Sequence, residues 1–588
     1  MLRAIVIFFI GLIPITGFSQ RRTEQILINQ GGYYPNAPKV AAIKGFKADK
    51  FYITTPDLSD TLFAGATSGP KSAPYSPAET WIADFSDFTL SGNYVVAVHG
   101  LGYSWPFEIG SLVHSRLAET SLKSYYFQRM SVPLQFEFAG PWSRPAGHPD
   151  TLVMVHASAA GENRPEGTII SAPKGWYDAG DYNKYVVNSG ITMGTMFSAW
   201  EDFPDYYSDL DVNIPESGNG LPDILNELLW NLRWMIKMQD PHDGGVYHKL
   251  TTAGFEGRLM PAEAVKQRYV VQKSTAAALN FTAVMAQASR VFRDFEQLVP
   301  GLADSCLRAA EFAWEWAIEN PDILYRQNEM NKLYDPGIVT GAYGDSNVSD
   351  EFKWAASELL ITTQNETYFK AVNLFPDTGM PLPSWNQVRL LAYYSLLRHS
   401  DNLPQFASGY IEIIKIRLTR FADELIDSLE HQPYHAVMGK SRRDFVWGSN
   451  SVAANQGIAL INAYHITGNR NYLDGALHNM DYLLGRNATG YSFVTGYGYR
   501  TPMHIHHRPS DADALPDPVP GLLAGGPNPG QQDGCDYPSD IPDESYVDDW
   551  CSYASNEIAI NWNAPLVYLS GAIEALQFDA GYSEYVVP

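Results

Sequence analysis

Hydrophobic positions in the first hundred residues form short runs, several of them alternating with polar positions. The turns between the runs are rich in Gly, Pro, Asn and Asp, a spacing typical of β-strands. The runs are Ile26 with Ile28, Val40–Ile43, Phe51–Thr54, Trp81–Phe85 and Tyr94–Val98. Several short strands without helices predict a small immunoglobulin-like β-sandwich over residues 21–110.

After His114 the period changes to three or four residues, which predicts α-helices. The predicted helices are Leu117–Arg129, Tyr185–Trp200, Pro222–Met238, Ser274–Phe292, Leu302–Glu319, Asp350–Thr363, Glu366–Phe375, Asn386–His399, Tyr410–Leu429, Ser451–Thr467, Asn471–Gly485 and Ile558–Leu576. No credible set of strands lies between them. Twelve helices can close into six helical hairpins, so residues 111–588 are predicted to form a mostly α domain whose function lies in loops at one end.

Two predicted loops are unusually long. Residues 130–184 show no sustained helical period, and residues 509–545 are rich in Pro, Gly and Asp. Connections of this length inside a compact domain are usually functional or disordered. We expect the second loop to form the wall of a cleft.

The charge balance narrows the class of partner. The 588 residues include 41 Lys plus Arg and 65 Asp plus Glu, a net charge of −24. This balance argues against nucleic acid or an anionic membrane as the main partner, because phosphate binding relies on clustered Lys and Arg. A neutral ligand fits better, and 14 Trp, 35 Tyr and 27 Phe supply aromatic surface for stacking as well as for the core.

Residues 1–20 are typical of a secretory signal peptide, with Arg3 before the apolar run Ala4–Phe18. The run is about 15 residues long, shorter than the ~20 that span a bilayer. No later segment is predicted to cross a membrane. We therefore expect export to the periplasm or the cell exterior.

The three cysteines are too few for a disulfide-dependent fold. Cys306 lies on an apolar helical face and is expected to be a buried small hydrophobe. In an exported protein Cys535 and Cys551 could pair and close the loop between them.

The candidate chemistry begins with Asp178 and Asp181, which lie three positions apart within the Gly- and aromatic-rich stretch Gly175–Tyr185. A solvated acidic turn would explain an isolated pair of this kind. Two further stretches change the interpretation: Ser492–Arg500 followed by His504, His506, His507 and Arg508, and the set Tyr546, Asp548, Tyr553, Glu557, Ala559, Asn563 and Ala564. Together the three stretches resemble the signature regions of glycoside hydrolase family 9, the inverting β-1,4-glucanases. Residues 28–39 resemble the start of the immunoglobulin-like domain found in one branch of that family.

The resemblance implies an (α/α)6 barrel with Asp181 as general base, Asp178 orienting the same water and Glu557 as general acid. Glycoside hydrolysis needs one carboxylic acid on the leaving oxygen and, for inversion, one carboxylate that activates water. A Glu packed among apolar residues is favoured in its protonated form, which suits the acid. The alternative for Glu557 is a plain helix N-terminal acid.

Substrate-binding roles also follow from the resemblance. His506 and Arg508 are expected to bind sugar hydroxyls, and Asp548 to bind substrate or orient its loop. Five side chains are expected to stack their rings on the sugar units: Trp562, His248, Tyr553, Trp385 and Trp447. A zinc site at the three clustered histidines is the alternative, but no carboxylate or cysteine lies at ligand spacing.

Ser346, Asn347, Asp350 and Glu351 are similar to a calcium-binding turn of the family, although the expected Ser-Gly-x-x-Asp-Glu is Ser-Asn-Val-Ser-Asp-Glu here. Acids at a helix N-terminus are the alternative. The cysteine–histidine zinc site of some relatives lacks its cysteines. No cofactor is expected in the chemistry, and calcium would be structural.

The sequence thus predicts an exported, monomeric endo-β-1,4-glucanase that acts on cellulose, mixed-linkage glucan or xyloglucan. An exo-acting enzyme that releases cellobiose or glucosamine, and an inactive glycan-binding protein, are the alternatives. The N-terminal domain is either a sugar-binding module or a packing partner, and the lack of an evident aromatic row favours packing.

Overall fold

The computed structural model describes residues 21–584 and contains a β-domain followed by a helical domain. The predicted signal peptide lies outside this range. The strands of the β-domain end at residue 109, and the first long helix begins at residue 115. The predicted combination of an immunoglobulin-like β-domain and an α/α barrel is confirmed.

The β-domain is one curved sheet in the order β1-β2-β5-β4-β3-β6-β7, with β8 also paired to β6. Its strands are β1 Ile26–Leu27, β2 Val40–Lys44, β3 Lys50–Thr54, β4 Thr61–Ala73, β5 Ser76–Asp84, β6 Gly92–Val98, β7 Gly102–Tyr103 and β8 Phe107–Ile109. The long β4 pairs with both β3 and β5, so the sheet curls around a core that includes Phe51, Phe85 and Phe107. The sequence did not reveal β4, because it contains few large apolar residues and none of its side chains is fully buried.

The β-domain packs firmly on the helical domain. Arg486 is fully buried, pairs with Asp481 at 2.8 Å and donates a hydrogen bond to the main-chain oxygen of Val40 in β2. The Tyr34 hydroxyl donates to Glu574 at 2.5 Å. None of the Phe, Tyr or Trp side chains in residues 21–110 is highly exposed. These contacts favour the packing-partner interpretation of this domain.

Twelve helices form the barrel: α1 Ser115–Phe127, α2 Val186–Asp202, α3 Asp223–Met235, α4 Thr275–Arg293, α5 Leu302–Glu319, α6 Ser349–Thr363, α7 Glu366–Lys370, α8 Arg389–Arg398, α9 Ser408–Ile426, α10 Ser449–Thr467, α11 Arg470–Leu483 and α12 Ile560–Leu576. The even-numbered helices are the inner ones: α2 packs against α4 and α12, α4 against α6, α6 against α8, and α10 against α12. The odd-numbered helices pack outside them.

The pattern of buried residues differs between the outer and the inner helices of the barrel. The outer helix α9 buries one stripe, Ile411, Ile414, Leu418, Ala422 and Leu425, at helical spacing. The inner helix α12 is buried on nearly every side. Close packing of α2 depends on glycine, because a Cβ on Gly190 or Gly194 would collide with Asn280 of α4 or Trp354 of α6.

The prediction that no strands accompany the helices is wrong. Five strands form a second sheet in the order β10-β9-β13-β12-β11: β9 Val153–Val155, β10 Ile169–Ile170, β11 Lys184–Tyr185, β12 Lys249–Thr252 and β13 Arg268–Val270. Strands of two to four residues are too short to show a period of two. This sheet matters for the site, because β11 leads directly from the Asp181 turn into α2.

Among residues 21–584, none of the helices combines the length and the apolar character that a membrane span requires.

Candidate active site

The two aspartates lie in a turn that is clamped between the end of α1 and the start of α12. The Asp178 N–H donates to the oxygen of Asn183 at 3.1 Å, and the Ile560 N–H donates to the oxygen of Asp178 at 2.8 Å. Gly180 allows a further close approach, since a Cβ there would collide with the main-chain oxygen of His506. The turn therefore brings residues far apart in sequence to one place.

Asp178 and Asp181 are both buried but differ in their bonding. Asp178 accepts hydrogen bonds on both oxygens, from Asn188 at 2.6 Å and from the Tyr343 hydroxyl at 2.8 Å. Asp181 accepts two on Oδ2, from Asn183 at 2.5 Å and from the Tyr185 hydroxyl at 2.9 Å. Its Oδ1 has no protein partner among residues 21–584. That oxygen is the free acceptor of the pair.

Burial and the neighbouring Asp181 charge raise the pKa of Asp178 to about 8. Two buried carboxyl groups that lie within reach of each other's charge cannot both ionise readily, so the pair favours a single negative charge.

Glu557 lies against the same turn. The Gly180 N–H donates to its Oε1 at 3.3 Å, and its backbone forms a bridge with His506. Burial, then the charges of Asp181 and Asp178, raise the pKa of Glu557 well above its usual range, although the Arg508 guanidinium opposes this shift. Burial therefore favours the protonated form of Glu557, which is the form that a proton donor requires.

His506 presents one ring nitrogen to the cleft. Its Nδ1 lies 2.7 Å from the main-chain oxygen of Trp550, which can only accept, so Nδ1 carries the proton. Burial lowers the pKa of His506, which leaves Nε2 as an acceptor. The ring also stacks on Trp550 at 4.4 Å.

The three histidines do not converge on a metal. His504 is exposed, whereas His507 is fully buried between Ser510 and Gln128. No group of three or more His, Cys, Asp or Glu side chains that could hold a metal ion is found in residues 21–584. The zinc alternative therefore has no support in the described structure.

Arg508 is fixed by main-chain oxygens. Its Nη1 donates to Gly180 at 2.7 Å and its Nε donates to Glu256 at 3.0 Å. Within the described range, no protein acceptor binds Nη2. This nitrogen is free to donate to a ligand.

The carboxylates open into a cleft of about 730 Å³. Its lining residues are Asp178, Ala179, Asp181, Tyr185, Phe255, Gly341, Ala342, Tyr343, Trp385, Trp447, His506, Arg508, Tyr553, Glu557, Ala559, Asn561 and Trp562. They include six of the eight predicted substrate-binding residues. Trp447 and Tyr553 are 42% and 36% exposed and lie with ring centroids 5.5 Å apart, so they form an aromatic platform at the rim.

The predicted stacking role of His248 is wrong for this structure. The ring is buried and stacked on Tyr325 at 4.1 Å. Its nitrogens lie 2.8 Å from the Ser274 hydroxyl and 2.8 Å from the Ala342 oxygen, so no face is open to a sugar.

Asp548 does not line the cleft. It accepts hydrogen bonds from the N–H groups of Met503 and His504, both at 2.8 Å, and from Asn556 at 3.1 Å. Of its two predicted roles, this bonding fits orientation of the loop.

Sequence reasoning missed several residues of the cleft. Tyr343 follows no recognisable motif, yet its hydroxyl donates to Asp178. Phe255 is 44% exposed at the rim, 5.6 Å from the Arg508 guanidinium. Asn561 has a buried Oδ1 with no partner in the described structure. Tyr185 was visible within the motif stretch but was assigned only to the start of a helix.

Cys535 and Cys551 form a disulfide that closes the loop before Glu557, and Cys306 is free and buried. Tyr553 comes two residues after the bridge, so the disulfide restrains one edge of the aromatic platform.

At the predicted calcium turn, Asp350 and Glu351 are buried while Ser346 and Asn347 are exposed. A third buried carboxylate, Asp345, was not predicted. Neither Glu351 oxygen has a partner in the described structure, and one Asp345 oxygen is also unpaired. Burial, then the charges of Asp350 and Asp345, raise the pKa of Glu351 well above its usual range. Buried oxygens without partners are hard ligands of the kind that calcium takes. The carboxylates alone do not form a metal site, because the described residues contain no group of three or more acidic, His or Cys side chains that could hold an ion.

A protonated carboxylic acid, a carboxylate with a free oxygen and an aromatic-lined cleft on an α/α barrel together define a glycoside hydrolase. The sequence comparisons agree. Residues 114–570 match glycosyl hydrolase family 9, and residues 21–103 match the cellulase N-terminal ig-like domain. The chain belongs to glycosyl hydrolase family 9, and it is an endoglucanase of that family.

The chain is similar over most of its length to characterised relatives. It is 47% identical to a xyloglucan-specific endo-β-1,4-glucanase of Bacteroides ovatus over 94% of each chain. It is 32% identical to endoglucanase D of Acetivibrio thermocellus, over 96% of this chain and 86% of the relative. A solved structure described as Bacteroides ovatus GH9 superposes with a TM-score of 0.89 at 46% identity, over 94% of this chain and 99% of that one.

Proposed function

We propose that the protein is an exported endo-β-1,4-glucanase that cleaves xyloglucan with inversion. The observation that carries the proposed chemistry is the pairing of a protonated Glu557 with the free Oδ1 of Asp181 in one cleft. The preference for xyloglucan is supported by the relative from Bacteroides ovatus, which is named for that activity.

The proposed reaction is a single displacement. Glu557 donates its proton to the glycosidic oxygen as the bond to the anomeric carbon breaks. A water attacks the opposite face of that carbon while Asp181 Oδ1 accepts the water's proton. Glu557 is then ionised and Asp181 protonated, so a proton exchange with solvent restores the starting state. Asp178 orients the same water.

A histidine, an arginine and four aromatic rings bind the sugar. The Nε2 of His506 accepts a hydroxyl hydrogen, and the Nη2 of Arg508 donates to a hydroxyl oxygen. Trp385, Trp447, Tyr553 and Trp562 offer ring faces to the apolar C–H side of the glucose units.

The substrate preference is tested by incubating the purified protein with xyloglucan, barley β-glucan and carboxymethyl-cellulose while viscosity and new reducing ends are followed together. We expect the fastest fall in viscosity per reducing end on xyloglucan, because internal cleavage shortens chains quickly. Faster attack on either linear glucan would contradict the xyloglucan preference. Reducing ends without a viscosity drop would indicate exo cleavage, and binding without hydrolysis would indicate an inactive glycan-binding protein.

We propose that the turn around Asp345, Asp350 and Glu351 binds structural calcium. Calcium takes hard oxygen ligands, and main-chain or hydroxyl oxygens such as that of Ser346 would have to complete the shell. Bound calcium stabilises the folded state by mass action. Removing it with a chelator is therefore expected to lower the melting temperature by about 2–5 °C, as measured by calorimetry.

Glu351→Gln is the matched variant for the calcium proposal. It removes one of the mutually repelling carboxylates, so its melting temperature should no longer depend on calcium. If the melting temperature of the wild-type protein changes with neither chelator nor added calcium, the proposed site is contradicted.

The protein is expected to act as a monomer without a cofactor in the chemistry, and export by residues 1–20 remains part of the proposal.

A further inference from the structure

A buried lysine that the proposed reaction does not use lies behind the Asp181 carboxylate. Lys249 of β12 is fully buried, and no carboxylate lies within ion-pair distance of it in residues 21–584. Its Nζ donates to Gln327 Oε1 at 2.7 Å, to the Gly341 oxygen at 2.6 Å and to Thr340 Oγ1 at 3.0 Å. A buried ammonium held only by neutral acceptors needs an explanation.

A chain of hydrogen bonds connects this ammonium to Asp181. Thr340 Oγ1 lies 2.6 Å from Thr251 Oγ1, and the Thr251 hydroxyl donates to Asn183 Oδ1 at 3.0 Å. Asn183 Nδ2 donates to Asp181 Oδ2 at 2.5 Å. The chain crosses from β12 through the 340–341 segment to the catalytic turn.

Two bonds in this chain have a fixed direction. Lys249 can only donate, so Thr340 Oγ1 accepts from it. Either threonine hydroxyl can donate to the other, and Thr251 Oγ1 also lies 2.8 Å from the main-chain oxygen of Thr252. The Thr252 N–H donates to Asn183 Oδ1 at 3.0 Å, which fixes the amide with Nδ2 toward Asp181. When Thr340 donates to Thr251 and Thr251 donates to Asn183, every hydrogen of the chain points from the cation to the carboxylate, an arrangement that stabilises negative charge on Asp181.

Tyr185 provides a second connection between Lys249 and Asp181. It lies opposite Lys249 in the antiparallel pairing of β11 with β12. Its ring centroid is 5.5 Å from the Lys249 Nζ, and its hydroxyl donates to Asp181 Oδ2. Burial lowers the pKa of Lys249 to about 7, while the Asp181 charge opposes that shift. The ammonium is thus charged in mildly acidic solution.

Arg508 is a second cation near Asp181, because it lines the same cleft and its Nη1 donates to the main-chain oxygen of the adjacent Gly180. The remaining titratable groups around Asp181 supply no positive charge. Asp178 lies on the same turn and Glu557 on the facing loop. The Asp181 charge raises the pKa of both, so it disfavours their ionised forms. His506 is neutral because burial lowers its pKa. Around Lys249 itself lie the rings of Tyr185 and Tyr325 and the neighbouring His248, whose pKa is lowered to about 3.

We infer that Lys249 is a positioning residue that holds the Asp181 carboxylate with its Oδ1 directed at the attacking water, acting through Thr340, Thr251 and Asn183. This inference rests on the proposed function of Asp181 as general base.

The test compares the pH dependence of kcat/KM for wild type and Lys249→Met on the glucan that the wild type cleaves best. Without the cation, the hydrogen-bond chain no longer favours negative charge at the general base, so the acidic limb of the profile should move up by about one pH unit. At a pH well below the limb this corresponds to roughly a tenfold loss of kcat/KM. KM alone should change little.

Lys184→Met is the matched control. Lys184 is also fully buried, lies on the adjacent strand β11 and donates to the oxygens of Ala172 and Lys174, but it pairs with Asp150. Its loss should disturb stability without moving the acidic limb. Equal movement of the limb in both variants, or none in Lys249→Met, would overturn the inference.

Thr340→Val provides a second variant if Lys249→Met does not fold. It breaks the chain but keeps the ammonium, so a smaller shift in the same direction is expected, and an unmoved limb would again count against the inference. Lys249→Arg, which restores a cation, should recover the wild-type profile. Inactivity of the wild type on every β-glucan would refute the proposed function instead.

Discussion

Replacing Glu557 by Gln is expected to lower kcat on xyloglucan about 10³-fold, because general acid catalysis of this kind contributes roughly 10²–10⁴. The leaving group of a polysaccharide is a sugar hydroxyl, which departs poorly without a proton. Glutamine keeps the size of the side chain and can still accept the Gly180 N–H, so the structure of the cleft should be preserved.

An activated substrate separates loss of the acid from loss of the fold. A dinitrophenyl β-cellobioside has a leaving group that needs no proton, so Glu557→Gln should retain most of the wild-type rate on it. Full activity of this variant on unactivated xyloglucan would refute the acid assignment. Equal losses on both substrates would place Glu557 in another role.

The second large effect is expected for Asp181→Asn, with a loss in kcat of about 10³-fold on both kinds of substrate. Water must be deprotonated whatever the leaving group is, and an amide oxygen is a poor base. The substitution removes the charge that the donors Asn183 and Tyr185 stabilise but keeps the volume of the side chain.

Calorimetric binding of a xyloglucan oligosaccharide provides the control for Asp181→Asn. Affinity should remain within a few-fold of wild type, because the sugar contacts come from other residues. A variant that loses activity on xyloglucan but not on the activated glycoside would reverse the assignments of acid and base.

The architecture was largely predictable from local patterns. All twelve barrel helices follow from apolar spacing, since each must bury a face or its whole surface. Helix α7 ends at Lys370 rather than at the predicted Phe375, and the segment before α8 contains three prolines, Pro376, Pro381 and Pro383. The long strand β4 and the second sheet were missed, because neither has a strong apolar pattern of its own.

The active site was predictable only in part. Asp178, Asp181 and Glu557 stand in motifs whose resemblance to a family is visible in sequence, and they meet in one cleft. Tyr343 and Lys249 act through contacts with residues far away in the chain, which spacing cannot reveal. His248 was misjudged, because its motif gave the position but not the direction of the ring.

The central claim is that water, activated by Asp181, displaces the leaving sugar directly. Proton NMR of the first products from a β-1,4-glucan oligosaccharide, recorded before mutarotation, tests it most directly. The account predicts that the new reducing end appears first as the α-anomer. Initial release of the β-anomer would contradict it.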